Sequence, residues 1–123
     1  VSISERAIQL ATEPSIKPYD DIPKMAVVVQ AMVRGAIDAF VSRDAEKAKA
    51  VIARDDEVDE LYHKVFRELL AVMTKDGSLV ERGIHVQSVA KYLERIGDHS
   101  TNLAEQVVFM VEAIDIRHAG KRA

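Results

Sequence analysis

Glu94, Asp98, Asn102 and Glu105 stand in the stretch YLERIGDHSTNLAE, residues 92–105, at steps of four, four and three. On an α-helix that spacing puts all four on one face, within an arc of about 80° at about 100° per residue. Carboxylate and amide oxygens are the ligands that hard cations such as Mg, Ca, Mn or iron take. Like charges at i,i+4 destabilise a helix, and a bound cation would relieve that repulsion. A second acidic pair, Asp55 and Asp59, lies four apart in RDDEVDELY, residues 54–62. It sits among Ile52, Val58 and Tyr62, where a carboxylate loses hydration and needs a cation, a proton or hydrogen-bond donors. Spacing leaves two readings. In one, Asp55/Asp59 and Glu94/Asp98 face each other across adjacent antiparallel helices and hold a metal. In the other, the stripe is a solvated face, and Arg or Lys from a neighbouring helix satisfies the aspartates. The stripe carries no Lys or Arg at i+4, which counts against a solvated face, and spacing leaves both readings open.

The elements that must position these groups read as helices. All three prolines fall in EPSIKPYDDIP, residues 13–23, and proline cannot continue a helix interior. After this break, one helix is expected from Asp21 to Val41, with Asp21 as N-cap, Pro23 in the first turn and a seam of Ile22, Met25, Val29, Met32, Ala36 and Phe40. A second is expected from Asp44 to Lys75, with a seam of Ala48, Ile52, Tyr62, Phe66, Leu69 and Met73, closed by Gly77 as a C′ glycine. A third starts at Ser78 with a Ser-Leu-Val-Glu capping box. Its seam is Val86, Val89, Leu93, Ile96, Ser100, Leu103, Val107, Met110 and Ile114, at alternating three- and four-residue steps. Short loops make sequential helices antiparallel neighbours. The expected fold is therefore all-α, an antiparallel up-down-up three-helix bundle over residues 21–116. Residues 117–123 follow as a basic C-terminal tail.

Residues 2–10, SISERAIQL, match the apolar positions of NLAEQVVFM at 102–110, with Glu5 on Glu105. The offset is close to the length of the bundle. Residues 1–13 thus read as the tail of the last helix of a preceding repeat, with 14–20 as a linker.

Composition removes several function classes. The 123 residues suit one domain. The absence of Cys excludes a disulfide framework, a thiolate nucleophile and Cys-based metal sites. A net charge of −3 and an acidic face disfavour nucleic acid. No apolar run approaching a membrane span and no signal peptide are read from the sequence. A di-iron carboxylate enzyme would need two Glu-x-x-His pairs, whereas Glu60 to His63 is the single one. His63, His85, His99 and His118 read as structural or solvated. No Ser/His/Asp set and no Gly-rich phosphate loop is visible.

YLERIGDHSTNLAE resembles the signature of the PhoU proteins, the cytoplasmic regulators of bacterial phosphate uptake, and DDEVDELY at 55–62 resembles the motif on that family's preceding helix. KPYDDIPKMA, AFVSRDAEKA and VVFMVEAIDIRH extend the resemblance over essentially the whole chain. It implies the second of two tandem spectrin-like three-helix bundles. It also implies metal binding by Asp55, Asp59, Glu94 and Asp98, with Asn102 and Glu105 in the extended signature. The metal would be iron, zinc, manganese, nickel or magnesium. The implied role is regulatory rather than catalytic: an adaptor between the ATPase subunit of the phosphate ABC transporter and the phosphate-sensing histidine kinase, holding the phosphate regulon off. A homodimer is compatible with it, and so is a metal-free helical adaptor.

Overall fold

A computed structural model describes the backbone of residues 21–122 and the side chains of residues 21–117. The expected repeat tail at 1–13 and linker at 14–20 lie outside the described residues. The described chain forms α1 (Asp21–Ser42), α2 (Ala45–Ala53), α3 (Asp55–Lys75), a 3-10 turn (Gly77–Leu79) and α4 (Val80–Arg122). α1, the α2–α3 limb and α4 pack against one another as the expected all-α antiparallel three-helix bundle, and α4 touches every other helix. At 43 residues, α4 is roughly 65 Å long at about 1.5 Å per residue.

The second limb departs from expectation. It is two helices meeting at Arg54, whose N–H donates to the Val51 carbonyl while its own carbonyl accepts from Glu57 and Val58. One tightened turn thus starts a new helix at Asp55 and places Asp55, Asp56 and Glu57 in its first turn, where the positive end of the helix dipole favours them.

The core is formed by Met25, Val29, Met32 and Ala36 from α1, Ala48 and Val51 from α2, Val58, Val65 and Leu69 from α3, and Val86, Val89, Leu93 and Val107 from α4. Two aromatic rings placed on the seam turn outward. Phe40 is 54% exposed and Ala39 is buried in its place. The reason is the closeness of α1 to α2: a Cβ built on Gly35 would stand 2.7 Å from Val51 Cγ2, so only small residues fit at this crossing. Phe66 is 43% exposed because Val58, Val65 and Leu69 hold the inward face of α3.

The caps also differ. Gly77 has no positive φ, so it is not the expected left-handed C′ residue. Asp76 takes over, its carboxylate accepting from the Ser78 N–H at 3.0 Å and the Ser78 hydroxyl at 2.6 Å. That commits the hydroxyl elsewhere than the expected capping box, and α4 begins at Val80. The α1–α2 corner is closed by Arg43 at φ 54, with the Asp44 N–H donating to the Ala39 carbonyl at 3.0 Å. This is the 6→1 bond of a Schellman ending, with arginine where glycine is usual. At the other end of α1, buried Asp21 lies in the first turn and accepts from Lys64 of α3 at 3.3 Å.

α1 is long and apolar enough, by length and composition, to cross a membrane, with a mean hydropathy of 1.5. In the fold its apolar side supplies the core with Met25, Val29, Met32, Ala36 and Ala39.

Candidate metal centre

Asp55 stands at the start of α3, Asp59 one turn later and Asp98 midway along α4. The packing beneath them sets their separation. A Cβ on Gly97 would meet Val58 Cγ1 at 3.6 Å, Met32 Sδ at 3.8 Å and Val29 Cγ2 at 3.8 Å. α4 thus lies close on α1 and α3 at this small residue, with ordinary van der Waals room for a methyl, and the next residue along each helix, Asp98 and Asp59, emerges at the rim of that contact. One carboxylate oxygen from each of Asp55, Asp59 and Asp98 lies within 4.8 Å of the others. Asp55 and Asp59 are half-buried and Asp98 is exposed.

Donors to the three are few among the described residues. Thr101 Oγ1 is 3.4 Å from Asp55 Oδ1 and 3.1 Å from the Gly97 carbonyl, and its one hydrogen can serve only one of them. The electrostatics follow. Loss of hydration, then the charges of Asp55, Asp98 and Glu94, push the Asp59 carboxyl above the usual range, against a smaller opposing effect of His63. Loss of hydration, then Glu94 and Asp55, push Asp98 up, against Lys91 and His99.

Of the six residues singled out by spacing, the fold brings Asp55, Asp59 and Asp98 together. Glu94 stays beside the cluster: Lys91 Nζ donates to its Oε1 at 2.9 Å. Lys91 also stands 5.4 Å from the centroid of the Tyr62 ring, and the Tyr62 hydroxyl accepts from Gln87 Nε2 at 2.7 Å. Asn102 and Glu105 continue the stripe as exposed residues, bordering a shallow concavity with Gln106 and Phe109. No histidine joins the cluster among the described residues, and Glu60 and His63 of the Glu-x-x-His pair are both exposed. A separate, more apolar groove of about 400 Å³ runs between α3 and α4 past Phe66, Met73 and Ile84, and Lys91 lies on its edge.

Two residues of this region were missed by reading the stripe alone. Lys91 is three positions before Glu94, and that i,i+3 spacing was visible. Thr101 gave no signal, because only the relative rotation of α3 and α4 brings it to Asp55. Chemically, the donors are all oxygen and the three carboxylates repel one another with little hydrogen-bond compensation. That set fits a hard divalent cation, which binds carboxylates and cancels their charge.

Comparisons with known proteins place the fold. The PhoU domain family model matches residues 22–107, which contain all six singled-out residues. A phosphate-specific transport system accessory protein PhoU homolog of Zymomonas mobilis is 44% identical over 108 residues, covering 88% of this chain and 46% of that protein. The homolog of Aquifex aeolicus is 42% identical over 117 residues, covering 95% of this chain and 53% of that protein. The crystal structure of PhoU from Pseudomonas aeruginosa superposes with a TM-score of 0.82 at 37% identity, covering 89% of this chain and 53% of that one. The chain spans about half the length of the relatives it matches.

Proposed function

This chain belongs to the PhoU family, and on that premise we propose that it is a regulatory module of bacterial phosphate uptake and signalling that works as a metal-binding adaptor. The observation that carries the metal half is the convergence of Asp55, Asp59 and Asp98 within 4.8 Å from two helices. Those three residues would hold the ion, with Glu94 next in reach and Asn102 and Glu105 extending the acidic face. A bound metal, of the iron, zinc, manganese, nickel or magnesium kind, would supply positive charge to neutralise these carboxylates. Nothing in this arrangement calls for bond-making, so the role is regulatory rather than enzymatic.

The regulatory half is supported by the relatives, which are accessory proteins of the phosphate-specific transport system. The partners proposed on that footing are the transporter's ATPase subunit and the phosphate-sensing histidine kinase, in the cytoplasm, with the phosphate regulon held off. Long helical faces suit docking on partner helices.

Elemental analysis of the purified protein beside an Asp59→Asn/Asp98→Asn variant tests the metal half. Metal in the parent that is lost from the variant is the expected result. A parent that stays metal-free after incubation with divalent ions and desalting leaves a bare helical adaptor, the reading that the internal Lys91–Glu94 pair favours.

A further inference from the structure

Resting on the metal-binding reading, we infer that Lys91 is a built-in counter-cation that holds Glu94 out of the carboxylate cluster and yields it when a divalent cation binds, thereby setting the affinity of the site. Glu94 shares its helix face with Asp98, one turn away. Its charge raises the proton affinity of both Asp98 and Asp59. It is nevertheless the one of the four motif carboxylates that stays outside the 4.8 Å group. What holds it is a single ammonium at 2.9 Å. Other ion pairs of the same i,i+3 spacing, Lys24–Asp21 and Lys49–Glu46, are longer at 3.8 Å.

Lys91 is held from a second side by the Tyr62 ring at 5.4 Å. That ring is pinned in turn by Gln87, and a cation over an aromatic face gains further attraction. The pair is placed to break all the same. The lysine precedes the glutamate along the helix, the weaker order for such pairs, and the Lys91 side chain is 46% exposed against 14% for Glu94. Lys91 also lines the apolar groove of Phe66 and Met73, and an aliphatic lysine stem can rest on such a surface while its ammonium stays in water. A divalent ion among Asp55, Asp59 and Asp98 repels Lys91 and attracts Glu94. The same Coulomb forces then open the pair and deliver a fourth carboxylate.

Calorimetric titration with Mn²⁺ at physiological ionic strength tests this with Lys91→Met, Glu94→Gln, the double variant, Lys91→Arg and Asp98→Asn. Lys91→Met binds about twofold to fivefold tighter, the range set by the worth of an exposed ion pair. The gain disappears in the Glu94→Gln background, and Lys91→Arg behaves as the parent. An equal gain in both Glu94 backgrounds overturns the inference, since Lys91 then acts only by its charge at a distance. Unchanged affinity in Lys91→Met also overturns it, while leaving the cluster intact so long as Asp98→Asn weakens binding. If Asp98→Asn does not weaken binding, the cluster reading fails and takes this one with it.

Discussion

Val58 and Asp59 are neighbours on α3, and Gly97 and Asp98 are neighbours on α4, yet each pair divides between two opposite environments. Val58 is 1% exposed and packs inward within reach of Gly97. Asp59 and Asp98, one residue on, have their carboxyl protons held more tightly than usual because water is partly removed and other acids crowd in. The inner side is satisfied and the outer side is not. Both follow from one cause: the close approach of α4 at Gly97 draws the apolar groups into contact and draws the acids together. The cluster is thus a by-product of tight packing that a cation can exploit, and its geometry is as firm as the core behind it.

Breaking the inner side has the largest effect. Met32→Ala empties a fully buried position and lowers unfolding free energy by about 2–5 kcal/mol, measured by urea titration. Breaking the outer side acts in the opposite sense. Asp98→Asn raises the melting temperature of the metal-free protein while weakening divalent-cation binding about tenfold, or about 1.4 kcal/mol. A variant that melts lower without metal would show the repulsion to be unimportant. Gly97→Ala sharpens the comparison, because the added methyl meets ordinary van der Waals distances. It stabilises by up to about 1 kcal/mol from helix propensity; a loss instead would mean that α4 already sits at its closest approach.

Acidity supplies a finer test. The folded-state pKa values of Asp59 and Asp98 lie above 3.8, so the folded protein binds protons more tightly than the unfolded chain. Their contribution is fully present below 3.8 and is lost as pH rises through the raised values. The melting advantage of Asp59→Asn/Asp98→Asn over the metal-free parent is therefore largest at neutral pH and shrinks as pH falls. Asp76, held low by Ser78, runs the other way in both proteins and cancels in the difference. The smallest effect belongs to Glu105→Gln, which leaves cation affinity within about twofold, as expected of an exposed charge outside the cluster.

The bundle was legible in the sequence because the α4 seam is long and regular: Val86, Val89, Leu93, Ser100 and Val107 all turn inward. The missteps arose where another helix overrode local pattern. Phe40 has the right spacing for the core, but α2 comes too close for a ring. The break at Arg54 has no proline or glycine to mark it. At the site, spacing identified the acids without deciding which of them meet. Glu94 and Asp98 look equivalent on the stripe, and the difference between them is a lysine on the same helix and the rotation of α3. Asn102 and Glu105 satisfy the same periodicity, but no acid of α3 comes to meet them in the described cluster.

α1 carries the most membrane-like composition among the described helices, and its most extensive packing partner is α4, the last of them in chain order. Synthesis proceeds at about 5–20 residues per second. The stretch between Ser42 and Gly97 therefore leaves α1 without this partner for several seconds after it emerges. α2 and α3 also pack on α1, and over that interval Val29 and Met32 still lack the middle of α4, whose Gly97 lies against them. Gly97 stands beside Asp98, so the arrival that completes the cover of α1 is also the one that brings Asp98 to Asp55 and Asp59.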